Sequence, residues 1–130
     1  MSQEHVELVR RTFDRWNAGE REVDPEIVHP DMVIHSAMTK ATYHGYDGVR
    51  RWIAEIDDQF DDWSLAIDQY REAPEGRLLA LGAVHVRGRT SGVEFDQPMA
   101  VLFAFAGERL IELTTIPDHA QALEAVGLRE

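Results

Sequence analysis

The sequence predicts an α+β fold, and three observations predict it. Apolar residues recur at helical spacing up to Phe60, alternate with a period of two from Trp63 onward, and return to helical spacing in one short capped segment after Ile116. A chain that places its helices first and its strands afterwards packs those helices on one face of a curved sheet. At 130 residues it fits one domain, 1–130, able to bury roughly two thirds of the surface that its unfolded form exposes. No repeat, linker or low-complexity segment interrupts it.

Ser2 is a candidate cap for a first helix in which Val6, Val9, Phe13 and Trp16 share one face, and "NAG" at 17–19 ends it on a glycine. "DPEIVHP" repeats that start in miniature: Asp24 as cap, Pro25 at the first helical position, and Pro30 closing a short second helix after about one turn. The run from Met32 to His35 is then extended, and a loop rich in polar and aromatic residues follows. "GYDGVRRWIAEIDDQF" sets Val49, Trp52, Ile53, Ile56 and Phe60 on one stripe, with Asp47 as cap, and is the main amphipathic helix. From Trp63, Leu65 and Ile67 the strands begin. "PEG", "SG" and "AGE" separate further strands at Leu78–Thr90, Val93–Phe105 and Leu110–Ile116, an antiparallel meander. "PDHAQALEAVG" opens with Asp118 and Gln121 in capping-box spacing and stops at Gly127.

Composition excludes several functions. Zero cysteines rule out disulfides and thiolate chemistry and are compatible with a reducing cytosol. No basic, apolar leader precedes the first helix, and no apolar run approaches the roughly 20 residues of a membrane span, so a cytoplasmic chain with no membrane partner is expected. Thirteen Lys plus Arg stand against 24 Asp plus Glu, a net charge of -11, which repels phosphate backbones and argues against nucleic acid. His29 and His35 are separated by a proline, His44 is in a loop, and no His-x-x-x-His spacing occurs. Neither a metal nor a cofactor is expected.

Taken together, "VELVRRTFDRWNAGE", "HPDMVIHS", "YHGYDGVRRWIAEI" and "LIELTTIPDHAQALEAVG" resemble the SnoaL-like branch of the nuclear transport factor 2-like superfamily over nearly the whole chain. The resemblance implies a cone: a strongly bent, mostly antiparallel sheet wrapped around three N-terminal helices, a short C-terminal helix, an apolar pocket, and dimers through the sheet. It also implies a choice among polyketide cyclases, steroid isomerases, dehydratases, epoxide hydrolases and members without known activity, which fold alone does not make. Aligned on "NAG", "HPD" and "DQPMA", the places of a ketosteroid isomerase's tyrosine and two acids hold Thr12, Ser36 and Ala100, which disfavours that mechanism. In the polyketide cyclase branch an aspartate after the last strand works beside pocket histidines. Asp118 takes that place here.

Asp118 and His35 are therefore the candidate catalytic groups, each with a structural alternative. Asp118 also caps the last helix, and a capping carboxylate has a low pKa and shuttles protons poorly. His35 has the intrinsic pKa of a general acid or base, yet strand alternation sets it opposite Ile34 and Ser36, and the isomerase alignment makes the Ser36 side the pocket side. His85 shares its face with Ala83, Arg87 and Arg89 and reads as an outer position. Candidate contacts for a small hydrophobic molecule are Trp16, Trp52, Phe13, Tyr43, Ile56 and Met99. Two functions stay open: a cofactor-independent cyclase, isomerase or hydratase moving a proton next to a carbonyl, or a binding or accessory domain with the same pocket and no turnover. Converging titratable groups at one cavity point to the first, an apolar cavity without them to the second. A homodimer is expected, because the strands from Leu78 to Ile116 are apolar on both faces and the helices cover only one.

Overall fold

The computed structural model describes residues 3–128, arranged as α1 (Gln3–Asn17), β1 (Val28–Ser36), β2 (Ala41–His44), α2 (Gly45–Gln59), β3 (Phe60–Ala73), β4 (Arg77–Gly88), β5 (Glu94–Ala106), β6 (Arg109–Ile116) and α3 (His119–Ala125). A single 3-10 turn, Pro74–Gly76, joins β3 to β4. The six strands form one sheet in the order β2-β1-β6-β5-β4-β3. β1 runs parallel to β6 and the other neighbours are antiparallel. The expected α+β architecture and the meander are both present.

Helix α1 buries Val6, Leu8, Val9 and Phe13 against the sheet. It stops at Gly19, where φ is +90°, and Asn17 fixes its end to β3. The Asn17 amide donates to the Leu65 carbonyl at 2.7 Å and accepts from the Leu65 N–H at 2.9 Å. The expected cap Ser2 lies outside the described residues.

Three local expectations differ from the structure. The short helix after Asp24 is only a turn, in which the Asp24 carboxylate accepts from the Glu26 N–H at 2.9 Å and its carbonyl from the Ile27 and Val28 N–H groups. It does not propagate because the Ile27 carbonyl is taken by the Leu110 N–H at 2.7 Å, which draws the chain into the sheet before Pro30. The described residues thus hold three helices, two before the meander and one after it. The loop after His35 contains β2, whose Tyr43 pairs with Ile34; four residues are too few to show a period. In α2 the N-cap position is His44 without a side-chain cap, and Asp47 bonds Arg50 at 2.8 Å instead of capping.

β3 shifts register between Ile67 and Gln69, opposite Gly82, a bulge of the kind that bends a strand. A Cβ on Gly82 would collide with the Ala66 carbonyl oxygen, so this close approach requires glycine. Alternation then sorts the sheet into two faces. Ile34, Val84, Val86, Met99, Val101, Phe103 and Leu113 join the inner core with α1 and α2. Leu79, Leu81 and Ala100 form an outer core with Ala122, Leu123 and Val126. Part of the second apolar face, expected to need another copy of the chain, is thus covered by α3. Asp118 caps α3 by accepting from the Gln121 N–H at 3.0 Å, and His119 donates to the Gly82 carbonyl at 2.7 Å.

Candidate functional site

Pleating decides which candidates face inward. On β1 Met32, Ile34 and Ser36 are buried, so Val33 and His35 point to the outer face. There the His35 ring meets Glu112 of β6 at 3.3 Å and Thr42 of β2 at 3.4 Å, about half-exposed. The pocket-facing expectation for His35 is not met, because a strand that buries Ser36 must turn its neighbour out. Asp118 is exposed at the start of α3, also outside the cone. His85 is on the outer face as expected, bonded to Asp96 at 2.7 Å with Glu94 at 3.5 Å. The hydrogen bond to Asp96 raises its pKa above the ordinary histidine value; desolvation opposes this, and Glu94 adds to the rise.

Inside the cone, Trp16, Trp52 and Trp63 pack against one another with ring centroids 5.4, 6.0 and 6.4 Å apart. The Trp52 indole N–H donates to the buried Ser36 hydroxyl at 3.0 Å. Phe13, Trp16, Trp52 and Met99 line a void of about 20 Å³ with Met38, Trp63 and Thr115, room for about one water. Tyr43 and Ile56 are instead core residues, 1% and 0% exposed. The Tyr43 hydroxyl donates to Thr39 at 2.6 Å, and its backbone passes close to Gly48, where a Cβ would come within 3.1 Å of the Tyr43 carbonyl carbon.

A larger cleft of about 590 Å³ shares Phe13, Trp16 and Leu113 with that void and runs beneath the segment 19–28. Its floor is apolar: Ile34, Val49, Ile53, Phe103 and Leu110. Its charged members, Arg15, Glu20, Arg21, Glu22 and Asp24, all come from the end of α1 and the segment above. Arg21 straps that segment down. Its guanidinium donates to the Trp16 carbonyl at 3.1 Å, the Trp63 carbonyl at 2.7 Å and Asp57 at 3.1 Å, and lies 4.0 Å from the Trp63 ring centroid. Arg15 and Asp24 close the outer side at 3.3 Å. Thr12, the one hydroxyl in the lining, is already bonded to the Leu8 carbonyl at 2.8 Å.

The site therefore offers apolar walls, a charged rim and no acid–base pair on its floor. Among the described residues no cluster of three or more His, Cys, Asp or Glu converges as a metal site, and no helix is long and apolar enough to cross a membrane. Trp63 and Arg21 were not among the residues singled out from the sequence. A tryptophan within a strand carries the same period-two signal as a leucine, and Arg21 stands in a segment with no periodicity at all.

The SnoaL-like domain profile matches residues 9–113. No curated protein matches the sequence. A nuclear transport factor 2-like protein of unknown function from Burkholderia pseudomallei superposes with a TM-score of 0.78 at 20% identity, over 97% of this chain and 98% of that one. A proposed SnoaL-like polyketide cyclase from Jannaschia sp. CCS1 gives 0.74 at 22%, over 100% and 98%. TerC, co-crystallised with polyporic acid, gives 0.76 at 16%, over 96% and 99%. At these identities the likeness is one of fold.

Proposed function

The chain belongs to the SnoaL-like domain family, and from that premise and the walls of its cleft we propose that it binds a small hydrophobic molecule without turning it over. The observation that carries this is the cleft of about 590 Å³ with an apolar floor, within the size range of small-molecule sites. Phe13 and Trp16, two of the expected contacts, line it, and Trp52 and Met99 stand behind them at the void. TerC, with the same fold, takes a small organic molecule. The catalytic alternative asks His35 and Asp118 to act on a carbonyl compound, yet both side chains lie outside the cone with no shared cavity. A homodimer through the sheet would have to use what α3 leaves open, a surface where Ala66 and Pro98 mix with His85, Asp96 and Arg87.

Tryptophan fluorescence, titrated with a panel of hydrophobic carbonyl compounds, tests the reading. A saturable change is expected, because Trp16 is part of the cleft wall. Val23→Trp, which fills the cleft from the overlying segment, should weaken binding at least tenfold. If no compound binds, or if Val23→Trp leaves affinity unchanged, the assignment of this cleft fails. Product formation from any bound compound would overturn the non-catalytic part.

A further inference from the structure

The rim of the cleft is not electrically neutral in its effect. Arg21 is spent on Asp57 and two backbone carbonyls, and Arg15 on Asp24 at 3.3 Å with Glu20 at 3.9 Å. Glu20 keeps 72% of its side-chain surface exposed, and Glu22 is exposed beside it. The mouth also abuts a second pocket of about 790 Å³ that shares Arg15, Asp24 and Ile27 with the cleft. That pocket adds Glu4, Asp14, Glu26 and Glu108, with Glu7 paired to Arg10 at 2.8 Å, against Arg11 and His5. A ligand entering beneath the segment 19–28 thus meets hydrocarbon inside and a carboxylate field at the entrance. An anionic end group would be repelled there, while a cation would be attracted. The half-buried Trp16 ring in the same wall gives a cation a second favourable surface.

We propose that the cleft's ligand is an apolar molecule carrying a protonated amine at its outer end. The proposal rests on the binding reading above and adds the charge of the ligand to it. The test uses three probes on one ring system: 1-naphthylmethylamine, 1-naphthalenemethanol and 1-naphthoate, measured by calorimetry against the full chain at pH 7 and low salt. The amine should bind at least tenfold tighter than the carboxylate, with the alcohol between them. Raising the salt to about 0.3 M should narrow that gap, because exposed charges are screened. The double variant Glu20→Gln, Glu22→Gln should cut the amine's advantage over the alcohol at least threefold. If alcohol and amine bind equally, or the carboxylate binds best, the amine proposal falls and the cleft assignment stands. An amine advantage that survives the double variant also overturns it. If none of the three binds, the amine proposal and the cleft assignment fall together.

Discussion

Pleating sends Ser36 inward and His35 outward, and the two neighbours should answer alanine differently. Ser36→Ala removes the acceptor of the buried Trp52 N–H and should cost about 1–3 kcal/mol, the penalty for orphaning a buried donor. His35→Ala breaks a half-exposed contact with Glu112 and should stay within about 0.5 kcal/mol. Denaturant titrations of the two variants check this, and a larger loss at His35 than at Ser36 would contradict the placement. The sequence carries signals for both orientations, since "MVIHS" alternates with Ser36 on the side that the isomerase alignment makes the pocket side, while the intrinsic pKa of a histidine argues for a place in the pocket, and only the packing of β1 separates them. What the sequence hid is that Ser36 serves an indole: that contact joins β1 to α2, and no local pattern reports it.

Among the helices, α3 does the most with the fewest residues. It runs only from His119 to Ala125, too short to hold alone, yet it buries Leu79, Leu81 and Ala100. Its cap, Asp118, was readable from Asp-x-x-Gln spacing; its position on the outer face was not, because a capped helix says nothing about which face it seeks. The helix after Asp24 failed for a related reason. Its start signals are real, but a neighbouring strand captured the Ile27 carbonyl, and the sequence gives no sign of that partner. With α3 covering Leu79, Leu81 and Ala100, sedimentation at micromolar concentration should show mainly the 14.8 kDa species, because that apolar surface is no longer open to a second copy. Leu123→Asp should loosen α3, bare the outer core and drive association. A stable dimer of the intact chain that the variant does not alter would count against this account.

At the scale of the molecule, the cleft was legible in its inner wall and illegible in its roof. Phe13 and Trp16 announced themselves by helical spacing, whereas the segment 19–28 carries no period and acquires its place through long-range contacts: Arg21 with Asp57 and Trp63, and Ile27 with Leu110. The parallel pairing of β1 with β6 bears on a property that the resting structure does not display. His35 and Glu112 meet across 77 positions of chain, while β3 to β6 are linked by short turns. Closing the longer loop costs more entropy, so the meander should assemble first and β1 should dock late. The cleft is walled by β1 on one side and the meander on the other, so it would come into being only at the last step of folding. Kinetic measurements can follow this: Ile34→Val should chiefly speed unfolding, with a φ-value near 0, whereas Val84→Ala and Val101→Ala in the β4–β5 hairpin should slow folding. A nascent chain that has made its meander but not yet received β1 would have a formed sheet and no place for a ligand, which makes ligand binding a reporter of complete folding.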